Sequence, residues 1–139
     1  AVVRAIDADI VARIEQACPL ADISHASFLH ACRIYLEATL APDVRRIHVI
    51  ECPAVLVGDR GRKLEQELAI APLHAAMRGL AERGQLRGDS EACAHLVNGA
   101  LDALAVWIGS HPDPNTAMER GMASFAACWS AWQGDGQQR

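Results

Sequence analysis

Apolar residues recur at helical spacing along the whole chain, and no stretch shows the sustained alternation of a half-buried strand. The segment from Ala92 to Ile108 is the most apolar part, since its only polar or glycine positions are 95, 98, 99 and 102. These positions follow a helical i, i+3, i+4, i+7 spacing and form one narrow stripe. A surface helix needs an apolar band of only about 100°. We therefore expect this helix to be covered on two sides, by its own core and by a second protein chain.

The periodicity predicts an all-α fold, an antiparallel bundle of about six helices. The predicted helices, in chain order, are Val3–Ile14, Phe28–Leu40, Pro42–Ile50, about Arg62 to Gly84, Asp89 or Ser90 to Gly109, and one after the turn at 111–115. Pro72 falls inside the fourth helix and removes one backbone hydrogen bond. We expect a kink there, near Leu68–Ala71.

The last helix carries a seam of large side chains beside a row of small ones. The seam is Met118, Met122, Phe125, Trp129 and Trp132, and the row, one residue earlier on each turn, is 117, 121, 124, 128 and 131. Large residues beside a small-residue groove let two helices approach closely. The last two helices are therefore predicted to form a four-helix bundle between two copies of the chain. The predicted interface residues are Leu96, Ala100, Leu104, Met118, Gly121, Met122, Phe125 and Trp129. The alternative is that both helices pack only within one chain.

Composition indicates one globular domain of 139 residues, with 51% hydrophobic and 22% charged residues. The net charge of −4 argues against nucleic-acid binding by this chain itself, because that function usually needs a basic face. The start, AVVRAIDADIVARI, mixes acids into an amphipathic helix and is not a signal peptide. The most apolar helix is shorter and more interrupted than a membrane span. We expect a cytoplasmic protein with no membrane contact.

The cysteines are odd in number and form no CxxC pair, which favours free, buried thiols in a reducing compartment. They are Cys18, Cys32, Cys52, Cys93 and Cys128. A zinc site needs three or four converging ligands. The pairs His48–Cys52 and His30–Cys32 have no evident partner pair, so neither a metal nor a cofactor is expected.

The chain contains no GxSxG, no HExxH and no glycine-rich phosphate loop, and we expect it not to be an enzyme. Two other hypotheses stay open. One is a thiol-based redox sensor acting through Cys52 or Cys128. The other is a helical enzyme or carrier for an apolar small molecule, with His48 as its acid–base group. The polar stripe of His95, Asn98 and Asp102 could face water, bond across a two-fold axis or line a cavity.

Three segments, 28–68, 75–108 and 113–129, resemble the C-terminal regulatory domain of TetR-family (tetracycline-repressor-like) transcriptional regulators. The similar motifs, in order, are Tyr35-Leu36, Pro42–Ile47, Glu51–Leu56, Gly84–Arg87 and Leu96–Leu101. Their order and spacing carry the resemblance more than any one of them. Pro72 departs from it, since it interrupts a helix that is usually continuous in these proteins.

The resemblance implies that residues 1–139 form an effector-binding and dimerisation domain of a regulator, expected to be a repressor. The implied partners are a second copy of the chain and a small, largely apolar effector. DNA would be bound only through an N-terminal helix-turn-helix domain, which this chain lacks, and its opening residues resemble the helix that follows that domain. By position in the family, the ligand-binding residues would be Phe28, Cys32, Tyr35, His48, Cys52, Leu68, Met77 and Trp107.

Overall fold

The structure, a computed structural model, describes residues 2–19, 22–42 and 70–135. Within these ranges the chain forms five helices: α1 (Val2–Ala17), α2 (His25–Leu40), α3 (Ala71–Glu82), α4 (Ser90–Ser110) and α5 (Pro114–Ala131). The described residues contain no strand, only an isolated antiparallel bridge between Leu86 and Gln133. The all-α prediction is confirmed. The predicted short helix Pro42–Ile50 extends beyond the described residues.

The helices begin at capping residues that the sequence supplies. The Ser24 hydroxyl accepts from the Ser27 N–H at the start of α2, and the Ser27 hydroxyl accepts from the Ser24 N–H in return. The Asp89 carboxylate accepts from the Ala92 N–H at 2.8 Å and starts α4. Asp113 caps α5 in the same way, and its hydrogen bonds from Thr116 lower the pKa of its carboxyl. Each cap satisfies N–H groups that the first helical turn leaves unpaired.

Helix α3 ends at a glycine, as predicted. Gly84 has a φ of 69°, a left-handed conformation that costs glycine little. Its N–H donates to the Ala81 carbonyl at 3.0 Å, and the Gln85 N–H donates to the Leu80 carbonyl at 2.8 Å. This is the Schellman arrangement of a helix end. At the other end, Pro72 is one of the first two residues of α3, and Ile70 before it already has helical backbone angles, φ −70° and ψ −42°. The predicted kink begins at Leu68, outside the described residues.

The hydrophobic core lies around α4, which packs against α2, α3 and α5. Leu36, Met77, Leu80, Val97 and Ile108 have no exposed surface and belong to one cluster drawn from α2, α3 and α4. Burying an aliphatic side chain of this size contributes about 1.5–3 kcal/mol. Helix α1 packs on α2 at the edge of this core. Packing against α4 therefore positions α2, α3 and α5, and packing on α2 positions α1.

A clasp of backbone hydrogen bonds joins the end of α5 to the loop between α3 and α4. The Arg87 N–H donates to the Trp132 carbonyl at 2.8 Å, and the Gly134 N–H donates to the Gln85 carbonyl at 3.0 Å. The Gln85 carbonyl also accepts from Nε2 of His25, at the start of α2. The clasp therefore holds the ends of α2, α3 and α5 together.

Trp129, near the end of α5, packs against the first turn of α2. Its ring lies 4.6 Å from the ring of His25 and 4.6 Å from the ring of Phe28, measured between centroids. Its indole N–H donates to the His25 carbonyl at 3.2 Å. A buried tryptophan with a satisfied N–H contributes both apolar area and a directional bond. Trp129 thus ties the last turn of α5 to the first turn of α2.

We predict that Gly134→Ala destabilises the chain by about 1–3 kcal/mol, because the added Cβ would overpack a close backbone contact. A Cβ built at this position lies 2.2 Å from the Gly84 carbonyl oxygen, so the clasp would have to open. Urea unfolding followed by circular dichroism measures the change. The matched control is Gly79→Ala in α3, where the Cβ would meet only the flexible end of Arg83, at 3.5 Å. Equal stability of the two variants would contradict the prediction.

Candidate functional site

A polar contact between α2 and α4 interrupts their otherwise apolar packing. The Tyr35 hydroxyl donates to Oδ1 of Asp102 at 3.0 Å. The Tyr35 ring packs, partly buried, against the hydrophobic core, whereas Asp102 is exposed on the polar stripe of α4. His95, on the same stripe, is also exposed. Asp102 therefore bonds within the chain to a residue 67 positions away, a pairing that the sequence did not predict.

Four of the eight predicted ligand-binding residues lie in or against the hydrophobic core. Phe28 and Cys32 on α2 and Met77 on α3 belong to one cluster, and Tyr35 packs against it. Phe28 and Cys32 are each 3% exposed, and Met77 has no exposed surface. We call these four side chains the apolar group; they are drawn from one larger core, and only Tyr35 among them carries a hydroxyl. The predicted residues His48, Cys52 and Leu68 lie outside the described residues.

Trp107 lies apart from that group. Its side chain is 38% exposed, its ring stands edge-on to the His111 ring at 5.6 Å, and the Arg120 guanidinium lies over it at 5.3 Å. These neighbours belong to the turn after α4 and to α5. The structure therefore places Trp107 at the exposed border of α4 and α5, whereas the family resemblance implied a wall of the ligand site. The next residue, Ile108, is fully buried, because one position along a helix turns the side chain by about 100°.

Helix α4 exposes an apolar surface on the side away from its core. We call this surface the outer face; it comprises Leu96, Gly99, Ala103, Val106 and Trp107, all exposed. Leu96 is 57% exposed and Val106 is 54% exposed. The opposite side of α4 packs in the core through Val97, Leu101 and Ile108. Contiguous exposed apolar surface of this kind is typical of interaction sites.

The predicted interface residues divide between this surface and the core. Leu96 lies on the outer face, and Ala100, Leu104 and Met122 are partly buried. The remaining members are buried inside the chain: Met118, Gly121, Phe125 and Trp129. The large seam of α5 thus packs mostly on α2 and α4 of its own chain.

Part of the small row of α5 faces the core as well. Ala117 and Gly121 face inward, and a Cβ added to Gly121 would lie 3.2 Å from Cδ2 of Leu104. The absence of a side chain at Gly121 therefore permits the close approach of α5 to α4 within the chain. Further along the row, Ser124 and Cys128 are exposed. Sequence reasoning missed Val106 and Ala103 on the outer face, although both share the helical spacing of Leu96.

Burial disfavours the thiolate form of two described cysteines. Burial, and secondarily the neighbouring Cys18, raises the pKa of the Cys32 thiol well above its usual range. Burial, with a smaller contribution from Asp89, also raises the pKa of the Cys93 thiol. Because the thiolate is the reactive form, neither group suits a redox sensor. Cys128 is exposed, and Cys52 lies outside the described residues.

Two observations concern metal ligands and membrane-spanning helices in the part of the chain that the structure describes. There, no three His, Cys, Asp or Glu side chains are grouped so that they could hold a metal ion. Helix α4 could cross a membrane by length and composition alone, but the core helix of a globular protein meets the same criterion. Its buried side packs against three other helices of the bundle.

The family of tetracyclin repressor-like C-terminal domains matches residues 25–132, which include α2 to α5. The structure is similar to the crystal structure of a TetR-family transcriptional regulator from Pectobacterium atrosepticum, with a TM-score of 0.84 and 27% sequence identity. That similarity covers 99% of this chain and 70% of the other. No curated protein sequence matches the chain. With a family match over most of its length and the same helical architecture, the chain belongs to the tetracycline-repressor-like C-terminal domain family.

Proposed function

We propose that this chain is the effector-sensing and dimerisation domain of a cytoplasmic TetR-like transcriptional repressor. It would bind a small, largely apolar ligand and control DNA binding by a helix-turn-helix domain on its N-terminal side. The observation that carries the proposal is the outer face of α4, an exposed apolar surface on a chain that belongs to a family of regulator domains. The proposed function explains both this surface and the α2–α4 contact.

The proposed occupant of the outer face is a second copy of the chain. A two-fold interface uses the same surface on both chains, so one apolar face is enough to build it. Leu96 and Val106 would then lose the water contact that their exposure in a single chain implies. Trp107, held under the Arg120 guanidinium, belongs to this proposed interface and not to the ligand site.

The proposed ligand site lies at the apolar group on α2 and α3. Phe28, Cys32 and Met77 supply apolar walls, and Tyr35 with Asp102 supplies a polar end. Small-molecule sites commonly combine apolar walls with a few placed polar groups. His48, Cys52 and Leu68 remain proposed members of this site by family position.

The proposed mechanism is a shift between two dimer arrangements. An effector that binds one arrangement more tightly raises its population in proportion to that difference in affinity. If the favoured arrangement spaces the DNA-binding domains wrongly for successive major grooves, the operator is released. Helix α1 packs directly on α2, next to the proposed ligand site, and would carry the change toward the DNA-binding domain.

We predict that Leu96→Asp and Val106→Asp each convert a dimer into monomers without unfolding the chain. A buried charge at the centre of an interface should raise the dimer Kd at least about 30-fold, as hot-spot changes of 2 kcal/mol or more do. Both side chains are more than half exposed, so the fold should tolerate the change. Sedimentation equilibrium of the 139-residue chain measures the Kd, and circular dichroism checks the helices.

The matched control for these variants is His30→Asp, which places the same side chain at an exposed position of α2. This variant should remain dimeric. A monomeric wild-type chain at micromolar concentration would contradict the proposed dimer. A dimer that survives both Leu96→Asp and Val106→Asp would show that the interface lies elsewhere.

We predict that Gly99→Ala stabilises the fold of the single chain and weakens its dimer. A Cβ at this position meets nothing within 4 Å inside the chain, and alanine in a helix interior is about 0.5–1 kcal/mol more stable than glycine. The variant should therefore raise the free energy of unfolding of the monomer. Urea unfolding in the Leu96→Asp background measures this change. If the partner helix crosses α4 closely at Gly99, the same change should weaken the dimer about tenfold in sedimentation equilibrium. A stabilised monomer with an unchanged dimer Kd would show that Gly99 does not lie in the interface. Gly79→Ala is the control for the effect of helix propensity alone.

A further inference from the structure

We propose that His25 makes the clasp sensitive to acid: the clasp closes around the neutral imidazole ring of His25 and opens when that ring is protonated. The proposal does not depend on the proposed function, because the clasp lies within a single chain. Its starting point is the pair of ring nitrogens of His25, the first residue of α2. One nitrogen bonds to the clasp, and the other is buried.

The two ring nitrogens have different surroundings. Nε2 lies within hydrogen-bond distance of the Gln85 carbonyl oxygen. Because a carbonyl oxygen can only accept, Nε2 carries the hydrogen and donates it. Nδ1 is shielded from solvent and has no hydrogen-bond partner among the residues that the structure describes. The closed clasp therefore contains a neutral ring, whose Nδ1 is an unused acceptor.

A proton on Nδ1 would convert this acceptor into a buried donor and give the ring a positive charge. Burying an unpaired charge is far more costly than burying an unpaired neutral polar atom. His25 also lies in the first turn of α2, where the helix dipole disfavours positive charge. The Trp129 ring, 4.6 Å away between centroids, packs against the imidazole. The protonated ring therefore needs contact with water, which it gains when the clasp opens.

The charged side chains around the clasp do not offset this cost through a bond to Nδ1. The Arg83 guanidinium donates to the carbonyl of Ile23, two residues before His25, and adds positive charge there. Four more charged side chains, all exposed, lie on the segments that meet at the clasp: Asp22, Glu82, Arg87 and Asp135. No carboxylate among the described residues is hydrogen-bonded to Nδ1.

The test is urea unfolding of wild type and His25→Gln at one chain concentration, at about pH 7.5 and about pH 5.5. The glutamine amide can still donate to the Gln85 carbonyl but does not titrate. An unfolded histidine takes up its proton at about pH 6.5. Stability that depends on a neutral ring is therefore present above this pH and lost below it. Between the two pH values, the unfolding equilibrium constant of wild type should rise about tenfold more than that of His25→Gln.

The matched control is His30→Gln, the same change at an exposed position of α2. This variant should follow the wild type at both pH values. A difference between wild type and His25→Gln below about twofold would overturn the proposal. A wild type that gains stability relative to His25→Gln at the lower pH would overturn it too, because attraction between the charged ring and Trp129 would then keep the clasp closed.

Amide hydrogen exchange on the wild-type chain provides a second test, which does not require His25→Gln to fold. Arg87 and Gly134 supply the N–H donors of the clasp. The Ala92 N–H, which donates to the Asp89 carboxylate at the start of α4, is the internal reference. Protection of the two clasp amides relative to Ala92 should fall about tenfold between the two pH values. Unchanged relative protection would show that acid does not open the clasp.

Discussion

The architecture depends on one feature: α4 is apolar around most of its circumference. Inside the chain, α2, α3 and α5 cover one side through Val97, Leu101 and Ile108. The other side, with Leu96, Val106 and Trp107, is left exposed by the part of the chain that the structure describes. Water contact with this much apolar surface is unfavourable. The exposed side is therefore the strongest structural reason to propose a second copy of the chain.

Local signals in the sequence predicted the helices and their ends well. Asp89 starts α4 and Gly84 ends α3 because capping depends on side-chain chemistry within a few residues. The end of α4 is one residue later than predicted, at Ser110, and α5 begins at Pro114, inside the predicted turn. Differences of this size arise because terminal turns have few hydrogen bonds to define them.

The division of α5 between core and surface could not be predicted from periodicity alone. Its large seam and its small row are both mostly apolar, and spacing does not reveal which members of each meet the chain's own core. The structure shows the large seam turned inward, with Phe125 and Trp129 buried. Trp129 also bonds to the His25 carbonyl, a contact across 104 positions that no local pattern contains. The same limit applies to Tyr35, whose spacing on α2 was informative but whose partner Asp102 was not identifiable.

The two proposed sites share α4, and this has a consequence for regulation. Asp102, on the polar stripe, contacts Tyr35 of α2 at the proposed ligand site, while Val106, one turn later, lies on the outer face. A helix that is hydrogen-bonded throughout moves as a unit, so a ligand that displaces Asp102 also displaces the surface offered to the second chain. Coupling between two binding events is reciprocal. Dimerisation through the outer face would therefore change the affinity of the ligand site by the same factor by which the ligand changes dimerisation.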